Sequence, residues 1–121
     1  MVDDVAEHVR VTTGVAQVLA VLLDDPRAGR YGLELMRLTG QPSGTLYPIL
    51  TRLQDAGWLR AEWEDIDPSV AGRPARRYYR LTAEGATLAR VELAALYARL
   101  RPRRARRGRA AGATTFTAPG W

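Results

Sequence analysis

The chain contains no cysteine, so it can form neither disulfide bonds nor cysteine-ligated metal centres. Histidine occurs once, at His8 near the start, where a solvated surface residue is expected. Serine–histidine–aspartate sets, glycine-rich phosphate loops and metal-ligand spacings are missing as well. We therefore expect no enzyme, no metal and no cofactor. The 121 residues suffice for one small domain with a single core.

Long apolar runs are also missing. No stretch approaches the length needed to span a bilayer, so a membrane partner is not expected. The acidic start MVDDVAEHV lacks the apolar segment of a signal peptide. These two observations predict a cytoplasmic protein.

Positive charge is concentrated in a few places. All 18 basic residues are arginine, and the net charge is +5. Six arginines lie between Arg101 and Arg109, so residues 1–100 hold 12 arginines against 13 acids. Residues 73–80 carry four arginines and no acid, whereas residues 62–67 carry four acids and no arginine. The distribution of charge, rather than its total, is what bears on a nucleic-acid partner.

Three helices are predicted in the first half of the chain. Apolar residues recur with helical spacing over 11–23, 31–40 and from about residue 43 to Ala56-Gly57. Thr12 or Thr13 can cap the first helix, and Gly57 suits the left-handed position that ends the third. The buried stripe of the third helix is expected to consist of Leu46, Ile49, Leu50 and Leu53.

After Gly57 the apolar period changes to two. The runs WLRAEWE and RRYYRL alternate around the turn-rich segment DIDPSVAGRP, which predicts a β-hairpin. Trp58 and Trp63 are expected to pack this hairpin onto the core. Arg73 is expected at the hairpin tip, far from the acids Glu62 and Glu64.

A last helix is predicted from Thr82, its cap, to the neighbourhood of Pro102. It carries more apolar residues than one helix covering a small domain needs, which predicts a two-fold homodimer. The alternative is that the first helix covers the whole apolar face. The predicted dimerisation residues are Leu88, Val91, Leu93, Leu96, Tyr97 and Leu100.

The order helix, helix, helix, hairpin, helix predicts a winged helix-turn-helix, mainly α with a β-hairpin (α+β), followed by a C-terminal dimerisation helix. We divide the chain into an N-terminal extension (1–10), a DNA-binding domain (11–81), the dimerisation helix (82–100) and an arginine-rich tail (101–121). The tail is expected to be disordered. It is either a flexible arm that contacts phosphates or a solvated terminus.

Pro48 leaves two possibilities for the start of the third helix. Either Thr45 is the cap and Pro48 lies in the first turn, or Ser43 is the cap and the helix bends in its second turn. Both bring small polar residues to the helix N-terminus, whose free amides suit phosphate and which a helix-turn-helix inserts into the major groove. The predicted DNA contacts of this helix are Ser43, Gly44, Thr45, Tyr47, Pro48, Thr51 and Arg52.

The arginines of the hairpin are further candidates for DNA contact. Arg73, Arg76 and Arg77 could reach the minor groove or the flanking phosphates. The alternative is a solvated face on which Glu62 and Glu64 neutralise some of the arginines across the strands.

Three segments, YGLEL, SGTLYPILTRLQDAGWL and GRPARRYYRLTAEG, together resemble the PadR family of bacterial transcriptional regulators over roughly Val11 to Leu100. The resemblance implies a winged helix-turn-helix that dimerises through its last helix and represses transcription from palindromic operators on double-stranded DNA. It also implies a small aromatic effector. The candidate residue for contacting this effector is Tyr97, at the dimer interface. The alternative function is a winged-helix module that binds a protein partner.

Overall fold

The computed structural model describes residues 6–102, so the predicted tail lies outside the described residues from residue 103 onwards. Within the described range the chain forms five helices and three strands. In chain order they are α1 (Thr13–Asp24), β1 (Arg30–Tyr31), α2 (Gly32–Thr39), α3 (Ser43–Asp55), β2 (Leu59–Trp63), α4 (Pro68–Ala71), β3 (Arg77–Leu81) and α5 (Ala83–Leu100). The predicted mainly helical fold with a β-hairpin is confirmed.

Caps and glycines set the ends of the helices largely as predicted. The Thr12 hydroxyl accepts a hydrogen bond from the Val15 amide at 3.3 Å and so caps α1. The Thr82 hydroxyl caps α5 in the same way, with the Gly85 amide at 2.9 Å. Gly57 has a φ of 83°, the left-handed conformation expected just after α3.

The sheet has one strand more than the sequence predicted. Its strands are antiparallel in the order β1-β3-β2, and Tyr31 of β1 pairs with Tyr78 of β3. With only two residues, β1 is too short to produce a period-two pattern. Tyr31 therefore ends a strand and caps α2, instead of belonging to α2 as the sequence reading had it.

The helices and the sheet share one apolar core. Trp58 lies in it with 1% of its surface exposed, and its indole nitrogen donates to the Glu7 carbonyl oxygen at 2.6 Å. Val9 is buried beside it, so the segment that precedes α1 covers part of the core. The prediction that Trp58 packs the hairpin onto the core is confirmed.

The same prediction is wrong for Trp63, which is 65% exposed. Burial falls along β2 from Leu59, which is buried, through Ala61, which is half-buried, to Trp63 at the end of the strand. Trp63 points to the same side of the sheet as Leu59 but lies beyond the part that the helices cover. The Arg77 guanidinium lies over its ring instead, 5.7 Å from the centroid.

Candidate nucleic-acid interface

Helix α3 begins differently from both predicted alternatives. Pro42 occupies the N-cap position, Ser43 is the first helical residue, and Pro48 therefore lies in the second turn. The Pro42 carbonyl accepts from the Thr45 and Leu46 amides, each at 3.0 Å. No side chain caps the free amides at the start of this turn. Pro48 has no N–H, so the Gly44 carbonyl lacks its usual helical donor.

The first turns of α3 present a polar, accessible surface. The buried stripe is the predicted one, and the predicted contact residues lie on the remaining faces of the helix. Gly44 has open space where a side chain would be, with nothing within 4 Å. The exposed residues of this surface are Ser43, Gly44, Thr45, Tyr47, Pro48, Thr51 and Arg52. The structure thus brings together all seven α3 residues that the sequence singled out.

Tyr47 connects α3 to the elements beside it. It is 41% exposed, and its hydroxyl lies against Gly32, the first residue of α2. It is also close to Tyr79 of β3: burial raises the pKa of Tyr79, Tyr47 raises it further, and Arg77 opposes the shift. The phenol of Tyr47 therefore lies at the contact between α2 and α3, on the side of the sheet that carries Tyr79.

The turn between α2 and α3 is held by Gln41, a residue that the sequence reading missed. Its side chain is buried, and Nε2 donates to the Gly14 carbonyl at 2.9 Å and to Gln17 Oε1 at 3.0 Å. Both partners belong to α1, so this amide fixes the start of α3 relative to the first helix. A single glutamine in a polar turn carries no periodic signal that could have revealed this role.

The connection between β2 and β3 is called the wing here and comprises residues 64–76. The short helix α4 forms within it, with the Ser69 amide donating to Asp67 Oδ1 at 3.0 Å. Gly72 then turns the chain back in the left-handed conformation, with a φ of 72°. The turn-rich segment was predicted, but this helix was not.

The expectation that Arg73 lies far from the acids is wrong. Its Nη1 and Nη2 atoms donate to Glu64 Oε1 at 2.7 Å and Oε2 at 3.0 Å, a two-bond ion pair. The physical reason is the return of the chain after α4, which places Arg73 beside the end of β2. Hydrogen bonds from Arg73 and from the Tyr31 hydroxyl hold the pKa of Glu64 at about 2.

The other wing and strand arginines differ in their partners. Arg80 pairs with Glu62 at 3.4 Å, as the cross-strand alternative predicted. Among residues 6–102 no carboxylate forms a salt bridge with Arg76 or Arg77. Each of these two lies over an aromatic ring instead, Arg76 over Tyr31 and Arg77 over Trp63.

Arg76 and Arg77 also lie on opposite sides of the sheet. Trp63 pairs directly with Arg77, and Ala61 pairs with Tyr79, so these side chains share the face that Tyr47 approaches. Arg76, by contrast, lies over Tyr31 on the other face. Arg77, the first residue of β3, therefore lies on the same side as the aromatic contact of α3.

The apolar residues of α5 fall into groups with different surroundings. Leu88 and Leu93 pack against the core of their own chain. Leu96 and Leu100 continue the face of Leu93 along the helix, and Leu100 is already 69% exposed. Tyr97, beside this continuation, is 72% exposed and lines an open groove of about 470 Å³. Val91 is 56% exposed on a different face of the helix.

Between residues 6 and 102, no helix is both long and apolar enough to cross a bilayer. No cluster of three or more histidine, cysteine, aspartate or glutamate side chains in that part of the chain could hold a metal ion.

Comparison with known proteins gives matches of two kinds. A sequence model described as the transcriptional regulator PadR-like family matches residues 18–91. The structure resembles that of a PadR-like transcription factor from Bacteroides fragilis, with 27% identity, a TM-score of 0.56, and coverage of 71% of this chain and 81% of that one. A search of curated proteins finds no significant match.

Two further solved structures are similar in fold. One is a PadR family transcription regulator from Clostridium difficile, with 20% identity, a TM-score of 0.56, and coverage of 67% of this chain and 83% of that one. The other is a transcriptional regulator from Streptococcus, with 23% identity, a TM-score of 0.53, and coverage of 77% of this chain and 95% of that one.

Proposed function

Because the chain belongs to the PadR-like family of transcriptional regulators, we propose that it is a repressor that binds a palindromic operator on double-stranded DNA as a homodimer. The observation that carries this proposal is the N-terminal end of α3. Its polar residues are exposed while its apolar stripe is fully used in the core. A helix that buries its apolar stripe and exposes its polar residues has a surface available to a partner. The free amides at its N-terminus suit phosphate.

Each α3 residue has a role that follows from its chemistry. Ser43, Gly44 and Thr45 are small and let the helix end approach the base edges closely. Tyr47 and Arg52 reach phosphate or sugar, Tyr47 through its hydroxyl and Arg52 through its charge. Pro48 and Thr51 complete the surface that faces the groove.

The end of the wing and the start of β3 supply the second group of contacts. Arg76 and Arg77 have no carboxylate partner among the described residues, so their guanidinium groups are available to pair with DNA phosphates. Arg77 shares a face of the sheet with the side that Tyr47 approaches, and it reaches the groove that flanks α3.

The homodimer is supported by the apolar end of α5. Leu96, Tyr97 and Leu100 extend an apolar face beyond the core of their own chain. A second copy related by two-fold symmetry covers this face, and the same symmetry matches a palindromic operator. A small aromatic effector would enter beside Tyr97, whose groove becomes part of the dimer interface.

The experiment is a titration of fluorescent duplexes with the full-length chain at several salt concentrations. One duplex carries the DNA just upstream of the protein's own coding region, and a scrambled duplex of equal length is the reference. We expect tighter binding to an inverted repeat and a steep fall in affinity with salt. Binding of no promoter fragment by the folded protein would contradict the proposal and favour the protein-interaction module.

A pair of threonine variants makes the test specific to α3. Thr45→Ala should weaken operator binding by about 1–3 kcal/mol, the usual range for a lost base contact. Thr87→Ala removes an exposed threonine of α5 and should leave the affinity unchanged. Arg52→Ala should weaken binding to all sequences alike and lower the salt slope by about 1.

A further inference from the structure

Glu64 lies at the junction of three separate segments of the chain. Its carboxylate accepts two bonds from Arg73 of the wing and one from the Tyr31 hydroxyl of β1, at 2.9 Å. Oε1 also accepts from the Arg76 amide at 3.2 Å. We call Tyr31, Glu64 and Arg73 the wing clasp. Through it the wing is attached to the strand that leads directly into α2.

The clasp also bears on the positions of Arg76 and Arg77. The Glu64 amide donates to the Arg76 carbonyl at 2.7 Å, so both ends of the wing meet at this one residue. The Arg76 guanidinium lies over the ring of Tyr31, 5.2 Å from its centroid. Arg77 follows as the first residue of β3. The position of Arg76 therefore depends on the Glu64 carboxylate, which accepts from its amide, and Arg77 follows it while also being held by its pairing with Trp63.

Arg73 itself uses three of its five N–H groups in bonds within the chain. Both of its Nη atoms donate to Glu64, and Nη1 also donates to the Pro74 carbonyl at 3.2 Å. A two-bond pair between guanidinium and carboxylate is among the stronger pairs in proteins, so a phosphate that took over these two donors would have to displace the Glu64 carboxylate. The glutamate would then be left partly buried beside the phosphates, since its side chain is only 15% exposed.

We propose that Arg73 is a positioning residue: it acts through Glu64 to hold the wing so that Arg76 and Arg77 reach DNA, and it does not contact DNA itself. This inference rests on the proposed DNA-binding function. It gives the acid Glu64 a part in binding a polyanion, which charge alone would not predict.

The sign of one substitution separates the two roles. Glu64→Gln removes a negative charge near DNA and, if Arg73 contacted DNA, would release that arginine. Simple electrostatics then predicts tighter binding. The clasp predicts the opposite, a loss of about three- to tenfold, because the wing loses its anchor. Glu62→Gln is the matched control: it removes the same charge two residues earlier, at the end of β2, from a glutamate that pairs with Arg80 outside the clasp.

Three further variants complete the design. Tyr31→Phe removes one hydrogen bond to Glu64 without a change of charge and should weaken binding in the same direction. Arg73→Gln should weaken binding yet leave the salt slope unchanged, whereas a lost phosphate contact lowers the slope by about 1. The double variant Glu64→Gln/Arg73→Gln should bind no worse than either single variant, since both remove the same pair.

A second measurement, which needs no DNA, keeps the clasp separate from the proposed function. Hydrogen exchange of the Arg76 amide, which donates to Glu64, should accelerate several-fold in Glu64→Gln and remain unchanged in Glu62→Gln. If the wild type binds no DNA but this acceleration occurs, the proposed function fails and the clasp stands as a structural element only. Binding by Glu64→Gln as tight as by Glu62→Gln, or a lower salt slope in Arg73→Gln, would overturn the positioning role.

Discussion

The hydroxyl of Tyr47 lies so close to Gly32 that a β-carbon at Gly32 would overlap it. Tyr47 belongs to α3 and Gly32 is the first residue of α2, so the absence of one side chain lets the two helices of the helix-turn-helix share a contact. The ring is partly exposed, and its outer end can move if the space is filled. This pair gives a way to shift one proposed DNA contact without touching the rest of α3.

Gly32→Ala should therefore displace the Tyr47 ring and weaken operator binding by about tenfold, comparable to the loss of one good contact. Stability should change little, because the obstructing atoms are the end of a movable side chain and alanine favours helix by up to about 1 kcal/mol. Fluorescence titration and thermal melting measure the two effects. A variant with unchanged affinity would show that the position of Tyr47 does not matter for binding.

Gly85→Ala should behave in the opposite manner and destabilise the fold. A β-carbon there would overlap the backbone of Trp58, which cannot move aside as a side chain can. Overpacking of this kind costs about 1–3 kcal/mol or more. Gly44→Ala is the matched control, since open space surrounds that position, and its unfolding free energy should stay equal or rise by up to about 1 kcal/mol. Urea denaturation compares the two variants.

Leu100→Glu should convert the proposed dimer to a monomer. A charge placed on the apolar extension of α5 would have to be buried in the interface, and the apolar area that Leu100 contributes there, worth about 1.5–3 kcal/mol, would be lost. Thr87→Glu places the same charge on an exposed part of α5 away from this extension and should leave the dimer intact. Sedimentation equilibrium gives the mass of each variant, and a Leu100→Glu protein that remains dimeric would contradict the α5 interface.

The wing clasp should loosen only in strong acid. Its partners lower the pKa of Glu64 from the ordinary value of 4.5 to about 2. Because the folded pKa is the lower one, the stabilisation is complete above about pH 4.5 and is lost as the pH falls towards 2. The hydrogen bond to Glu64 also raises the pKa of Tyr31, so its phenol stays protonated throughout this range. The charged group facing Glu64 is the guanidinium group of Arg73, which stays protonated there because its pair with Glu64 raises its pKa.

The measurement is the difference in unfolding free energy between wild type and Glu64→Gln as a function of pH. This difference should be constant above about pH 4.5 and shrink towards pH 2. Carboxyl NMR of Glu64 gives its pKa directly. A Glu64 carboxyl that titrates near 4.5 would show that the clasp is absent in solution.

Local signals predicted much of the fold. The apolar periods placed the four longer helices and the two longer strands, and Thr12, Thr82 and Gly57 were recognised from their chemistry at helix ends. Each of these features depends on residues within about four positions of one another, which is why the sequence alone reveals them. The start of α3 was harder, since Pro42 occupies the N-cap position and no side chain caps the helix, where Ser43 or Thr45 was expected to do so.

The seven α3 residues of the candidate site were predicted as a set because they share the exposed faces of one helix. The wing was predicted less completely. Arg73 was placed away from the acids because no local pattern shows where the turn at Gly72 leads. In the structure this turn returns the chain to β2. Trp63 was assigned to the core from its alternation, yet alternation shows only the side of a strand and not whether anything covers it.

The sequence by itself determined the order of the elements, the apolar faces and the polar end of the third helix, since all of these follow from spacing along the chain. Only the tertiary structure decided which distant groups meet: Tyr31 with Glu64, Glu64 with Arg73, Gln41 with α1, and Tyr47 with Gly32. These contacts join residues of different elements, so they exist only once packing of the common core has brought helices and sheet together. The roles assigned here to the wing and to α3 depend on that packing.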